Sequence, residues 1–414
     1  MKIKSLKLKE WNQFTEVNIE FHERLTILTG ANGSGKSTIA RVLSRLIGWD
    51  YKEIKLPKPV ETINEIELRD YQSDSKEIGT LQINDDTKIE LTVPLEQEVV
   101  TYDVKYNYVN SPVSLKGVNI TSHRLPYQYK KLDVVPSHAV LKNEAAEQYM
   151  KVLKNRMISN TYYNPLEEHP TVSLKSALIS LAVYGQGNDY VENDKEALDL
   201  FLKFNSILCE VLPPNIGFNK IKIKKSEVIL ETQSGEFLLD AVSGGLGSII
   251  DIAWQIFLCE NNNDEFVVLI DEVENHLHPS MQRSLLPNLL RAFPTAQFVV
   301  TTHSPFVVNA VEKSYVYALE YNEQNKVFST KLDFSTKTYS AMDILRNVLG
   351  VPVTMPIWLE DKISQTIEQV NTPSLNIDTY KQLKELLINN GLINYLPEAV
   401  DLWRKGDGTE NEEN

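Results

Sequence analysis

"LTILTGANGSGKSTIARVL", residues 25–43, runs from a short apolar strand through a glycine-rich turn into an amphipathic helix. Residues 30–37, followed by Thr38, fit G-x-x-x-x-G-K-[ST], and a strand before and a helix after are the context in which that pattern cradles phosphate. Gly30, Gly33 and Gly35, with Asn32 and Ser34 between them, let the backbone wrap closely around a triphosphate. Lys36 is placed to reach the β and γ oxygens, and the Ser37 hydroxyl, followed by Thr38, to ligate Mg²⁺. The expected ligands are therefore ATP and Mg²⁺.

A phosphate cradle of this kind needs a partner carboxylate. Phe266-Val267-Val268-Leu269-Ile270-Asp271-Glu272 supplies one at the end of a fully apolar strand, where open α/β sheets place their chemistry. Asp271 is expected to hold Mg²⁺ and Glu272 to orient or deprotonate an attacking water. A second carboxylate beside the metal aspartate favours water over a bound acceptor, hence hydrolysis over phosphoryl transfer. The next strand ends in Thr301-Thr302-His303-Ser304-Pro305, and His303 is placed to reach a γ-phosphate. In Asp240–Ser248, DAVSGGLGS, Ser243, Gly244 and Gly245 precede an apolar stretch of helical spacing, a helix start that offers bare N–H groups to an anion.

The bulk numbers bound the class. The chain has 414 residues and 42% hydrophobic content, enough for one large domain or two modest ones. Two cysteines, Cys209 and Cys259, make no disulfide framework, so a reduced, cytoplasmic protein is expected. No run reaches the roughly 18 apolar residues of a membrane span, and no membrane partner is expected. A net charge of −14 argues against a surface coated in nucleic acid, although Lys220, Lys222, Lys224 and Lys225 form a local basic run that keeps DNA open as a partner.

Along the chain, strand-like patterns cover Val60–Leu68, Thr80–Ile83, Ile89–Val93 and Glu98–Tyr108. A helical stretch from about 140 to 212 ends at Pro213-Pro214. Ile221–Thr232 and Phe237–Leu239 read as a hairpin turning at Ser234-Gly235, after which helix and apolar strand alternate again. The α/β core is thus discontinuous, with its first part near residue 30 and its second after residue 235. No internal repeat or sustained heptad run is present.

As a set these motifs resemble the ABC-type ATPases of the SMC/RecF class. Residues 6–43 are similar to that class's opening strands and Walker A, SGGLGS to its signature, VVLIDEVENHLHPSMQ to Walker B with the D-loop, and VVTTHSPF to the H-switch. The resemblance implies an α/β fold: an ABC-type P-loop NTPase head with a mixed sheet, an inserted β-plus-helical lobe and a helical C-terminal region. The corresponding division is 1–135 for the first part of the head with a β-rich subdomain, 136–215 for a helical lobe, 216–335 for the second part of the head, 336–405 for a helical region and 406–414 for an acidic tail.

It also implies that two heads close around two ATP molecules. Ser243, Gly244 and Gly245 of one chain would then serve the nucleotide held by its partner, so the chain itself, as a homodimer or higher oligomer, is a partner. Gln72 is the expected Q-loop residue and a metal contact, with Gln82 as the competitor. Glu274, His276 and His278 lie where the D-loop belongs and are not read as a metal cluster, and Glu360-Asp361 is read as surface. Without heptads after Thr38 no SMC-style coiled coil can extend from this head. Within the class, the chain resembles the compact ATPases of bacterial antiviral systems, such as the Septu and retron-associated ones, and that resemblance implies an effector nuclease encoded nearby. The run Thr121–Pro126 resembles one found in such chains; Arg124 reads as a surface or ion-paired arginine, with approach to a phosphate as the alternative. Two other functions stay open, an ATP-stabilised scaffold that cages an effector and a RecF-like DNA repair ATPase.

Overall fold

The computed structural model describes residues 1–54, 75–95, 101–109, 112–158, 169–261, 264–332, 344–345, 357–370 and 377–406. The chain divides into two compact units, residues 1–341 and 342–414.

The first unit is built on one eleven-stranded mixed sheet. Its centre is parallel: β15 (Tyr315–Tyr321), β3 (Leu25–Gly30), β14 (Ala296–Thr301), β13 (Phe266–Ile270) and β9 (Gly117–Ile120) lie side by side. Every residue of β3, β13 and β14 is buried, as expected of strands covered on both faces. Beyond β15 the order continues through β16 (Val327–Leu332), β2 (Phe14–Glu20), β1 (Ile3–Trp11), β5 (Ser75–Ile83), β6 (Thr87–Pro94) and β8 (Lys105–Tyr108). Here alternation returns, because only one side of each strand is covered; β2 reads buried and exposed in turn along most of its length.

Helices cover the parallel centre. On α1 (Lys36–Ser44), Ile39, Val42 and Leu43 recur at helical spacing and pack with Leu28, Val267, Leu269 and Val299 of the sheet. Each such side chain contributes about 1.5–3 kcal/mol by leaving water. A short 3₁₀ turn follows α1 and ends at Gly48, whose left-handed φ of 80° is one a side chain rarely adopts. α5 (Gly244–Cys259) is apolar on nearly every face and almost wholly buried. It packs through Trp254 and Phe257 on Phe204 of α4 (Lys195–Val211), with ring centroids 4.8 and 5.3 Å apart. α2 (Lys142–Ile158) and α3 (Pro170–Gln186) complete the helical layer, and with α4 they cover most of the described part of the helical stretch read from 140 to 212.

Two details differ from the sequence reading. Ile221–Thr232 is not one strand: β10 (Phe218–Lys224) and β11 (Glu227–Thr232) form a hairpin whose turn residues, Lys225 and Ser226, take φ of 53° and 61°. No glycine or asparagine marks that turn, so it carries no turn signature. β12 (Gly235–Leu238) then pairs with β11 to close a three-stranded sheet. Secondly, the region between the two parts of the core shares the main sheet: β9 pairs in parallel with β13, and β5 pairs with β1. Val60–Leu68 falls outside the described residues, as does the start of Glu98–Tyr108.

In the second unit, α8 (Ile357–Glu368), α9 (Ile377–Asn389) and α10 (Leu396–Gly406) surround Leu359, Ile363, Leu383, Leu387 and Trp403. Glu360 and Asp361 lie on α8 and are not buried. Among the described residues no helix is long and apolar enough to cross a membrane.

Candidate active site

The C-terminal ends of β3, β14 and β13 lie on one edge of the sheet, so the glycine loop, the Thr301–Ser304 turn and Asp271-Glu272 converge there. Gly30, Gly33 and Gly35 have φ of 142°, 80° and 93°. A Cβ on Gly30 would come within 2.4 Å of the Leu319 carbonyl oxygen, and one on Gly35 within 2.4 Å of the Phe14 ring and the Gln13 amide. The loop therefore demands glycine both for conformation and for space. Gly35 precedes α1 with no side-chain cap, which leaves the first N–H groups of that helix open to an anion, while Asn32 and Gly33 are exposed at the rim.

Lys36 is 4% exposed. Its Nζ donates to the carbonyls of Gly30 (3.0 Å) and Ala31 (2.9 Å) and to Ser34 Oγ (3.4 Å). Burial lowers its pKa to about 8 against the pull of Glu272, Asp271 and Glu274. Ser37 Oγ donates to Asp271 Oδ1 at 3.1 Å, and Thr301 Oγ1 donates to the same oxygen at 2.5 Å. A hydroxyl and a carboxylate oxygen in contact are hard donors, the kind Mg²⁺ takes from protein while keeping its remaining positions for water and phosphate. The residues present thus fit a Mg²⁺-bound nucleoside triphosphate.

Glu272 takes a left-handed φ of 48°, and His276 one of 68°. For residues with a side chain this conformation costs about 1–3 kcal/mol and persists only where the surroundings over-determine it. They do: Glu272 N donates to Thr301 Oγ1 (2.8 Å), and Asn275 Nδ2 donates to Glu272 Oε2 (2.6 Å) and to the Ser122 carbonyl (3.2 Å). His303 Nε2 lies 4.0 Å from Glu272 Oε1. Burial and the nearby Lys36 charge hold the His303 pKa below the ordinary value, so the imidazole is neutral near pH 7. Thr301 went unassigned in sequence because its role arises only when β14 lies beside β13, and Asn275 because its hold on Glu272 is completed by Ser122 in the loop after β9.

Ser243 caps α5, its Oγ accepting from Leu246 N at 3.5 Å. Gly245 packs against the turn after β13, where a Cβ would meet the His276 carbonyl oxygen at 2.8 Å. A Cβ on Gly244 would meet nothing within 4 Å, and Ser243 and Gly244 are exposed. The chain's own packing gives Gly244 no reason to be glycine.

Arg124 is a correction: it is not on the surface, and among the described residues it forms no ion pair. It is 7% exposed and bound to Ser248 Oγ and to backbone carbonyls around Asp271–Asn275. Gln72 lies outside the described residues, and Gln82 donates to the Asp85 carbonyl in the β5–β6 turn. Glu274 Oε1 accepts from His303 N, and His278 caps α6 (Pro279–Ala292), which opens at Pro279 as its sequence implies. Among the described residues no group of three or more His, Cys, Asp or Glu is placed to hold a metal. In the basic run, Lys222 is paired with Glu231 and Glu236.

The RecF/RecN/SMC N terminal domain model matches residues 2–326. The chain belongs to that family. It is an SMC/RecF-like ATPase of α/β fold. It is 22% identical to Septu protein PtuA of Bacillus thuringiensis over 401 residues, covering 92% of each chain. It is 24% identical to Retron Ec83 probable ATPase of Escherichia coli, covering 79% of this chain and 73% of that one. Among solved structures, the SMC head domain from Thermotoga maritima is 15% identical with a TM-score of 0.42, covering 80% of this chain and all of that one.

Proposed function

We propose that this SMC/RecF-like chain hydrolyses ATP slowly in a Mg²⁺-dependent reaction, associates head to head on binding ATP, and through that cycle regulates an effector, a nuclease encoded nearby, in bacterial antiviral defence. The observation that carries the hydrolytic reading is the convergence of Ser37, Asp271, Thr301, Glu272 and His303 on the loop that holds Lys36. Similarity to a Septu protein and a retron ATPase supports the assignment to defence.

In this reading the Gly30–Thr38 backbone and Lys36 bind the β and γ phosphates. Ser37 and Asp271 hold Mg²⁺, which supplies Lewis-acid polarisation of the phosphoryl oxygens when bound. Glu272 accepts the proton of the attacking water while Asn275 fixes its carboxylate, and His303, 4.0 Å from Glu272, is assigned to sense the γ-phosphate. Ser243 and Gly244 meet the nucleotide of a second copy. Their exposure, and the space beside Gly244, support that role.

Phosphate release at several protein concentrations tests the reading. Turnover per chain should rise with protein concentration, vanish with chelator and with Lys36→Ala, and fall by about a hundredfold or more in Glu272→Gln with nucleotide binding retained. No turnover at any concentration, with or without DNA, would contradict it.

A further inference from the structure

Building on the roles given above to Glu272 and Ser243, we propose that Arg124 is a positioning residue that fastens the Glu272 turn to the signature helix α5, so that the site a head hydrolyses and the surface it offers to its partner's nucleotide move as one piece.

Arg124 follows β9, which lies against β13 with Ile120 opposite Ile270. The residue therefore emerges on the same sheet edge as Asp271. Its guanidinium has five N–H donors in a fixed planar fork, and each one has a partner. Nε donates to Ser248 Oγ at 2.8 Å. Nη1 donates to the carbonyls of Thr121 (3.3 Å) and Asp271 (3.4 Å). Nη2 donates to those of Glu272 (2.8 Å) and Asn275 (3.3 Å). Three of these carbonyls belong to the turn in which Glu272 and His276 are held left-handed. The fourth belongs to the same loop as Ser122, whose carbonyl accepts from the Asn275 amide that grips Glu272. One short loop thus holds both the backbone and the carboxylate of Glu272.

Ser248 ties the other end. It lies on α5 just after the Ser243-Gly244-Gly245 start, and the helix and turn touch again where Gly245 meets the His276 carbonyl. Among the described residues no carboxylate lies within ion-pair distance of Arg124, and burial lowers its pKa from the ordinary value although Asp251, Glu274, Asp271 and Glu272 act against it from farther off. A guanidinium taken out of water without a direct counter-ion is expensive to keep for stability alone. Its geometry is spent on orienting two elements. Lysine cannot replace it, because a single ammonium cannot span a hydroxyl on α5 and carbonyls on the turn.

The test compares wild type with Arg124→Lys, Ser248→Ala and the double variant, measuring kcat, KM and equilibrium ATP affinity. Arg124→Lys should lower kcat by about tenfold to a hundredfold with ATP affinity unchanged within about threefold, the split expected of a misplaced Glu272. Ser248→Ala removes only the α5 end and should fold normally, with a smaller fall in kcat. The double variant should be no slower than Arg124→Lys, because the serine acts through the arginine. Unchanged kcat in Ser248→Ala, or effects that multiply in the double variant, would overturn the coupling. If Arg124→Lys does not fold, the Ser248→Ala kcat decides alone. Failure here is distinct from failure of the hydrolytic reading, which would show as absent turnover in the wild type.

Discussion

Lys36 sets the charge state of the phosphate cradle. Its ammonium is enclosed by the carbonyls of Gly30 and Ala31, and burial brings its pKa down to about 8. A polyphosphate binds the protonated form, so above pH 8 binding must take up a proton, and below it the ammonium is already charged. ATP affinity is therefore expected to be flat up to about pH 8 and to fall above it, by no more than about tenfold per pH unit. Titration of a fluorescent ATP analogue between pH 7 and 9.5 checks this. Lys36→Arg, whose charge persists, should flatten the profile, and a flat wild-type profile would contradict the assignment. At this scale sequence served well wherever one residue type is obligatory: Gly30 and Gly35 can be nothing else, given φ and contact. It served poorly for Arg124 and Thr301, whose partners are distant in the chain, and for Asn275, which bonds Glu272 three residues away and Ser122 from another loop; all three residue types suit many roles.

Among the elements, the loop that carries the signature is anchored from below. Lys175 on α3 is 1% exposed at its side chain and pairs with Asp240 (2.5 Å) and Glu227 (2.8 Å). Asp240 lies three residues before Ser243. Removing one partner of a buried ion pair leaves the other charge uncompensated, which costs about 3–5 kcal/mol. Lys175→Met is expected to lower unfolding stability by that amount in a denaturant titration, whereas a loss under about 1 kcal/mol would mean that water reaches the pair. Strand β13 was legible as an unbroken apolar run ending in two acids, and β3 and β14 as mostly apolar runs, the first leading into a glycine loop. The β10–β11 turn was not, because tertiary context places Lys225 and Ser226 in a conformation their types do not advertise. β9 was missed for another reason: four residues containing Asn119, whose amide donates to the Tyr51 hydroxyl, are too few to show a pattern.

For the molecule as a whole, the discontinuity of the core was legible from the return of apolar strands after residue 235, but its joining was not. Only the register shows that β9 enters the parallel centre and that β5 extends the sheet through β1. The family explains the order of the motifs, and the exposed Ser243-Gly244 start of α5 explains why one copy is incomplete in the proposed cycle. Glu272→Gln should stall that cycle with ATP bound. The most direct measurement is the solution mass of this variant with and without Mg·ATP, alone and combined with Ser243→Arg. The account predicts that ATP raises the mass of Glu272→Gln from one chain of 47.2 kDa to at least a dimer, and that Ser243→Arg prevents the rise. A mass that ignores ATP, or growth that survives Ser243→Arg, would contradict a nucleotide shared between two copies.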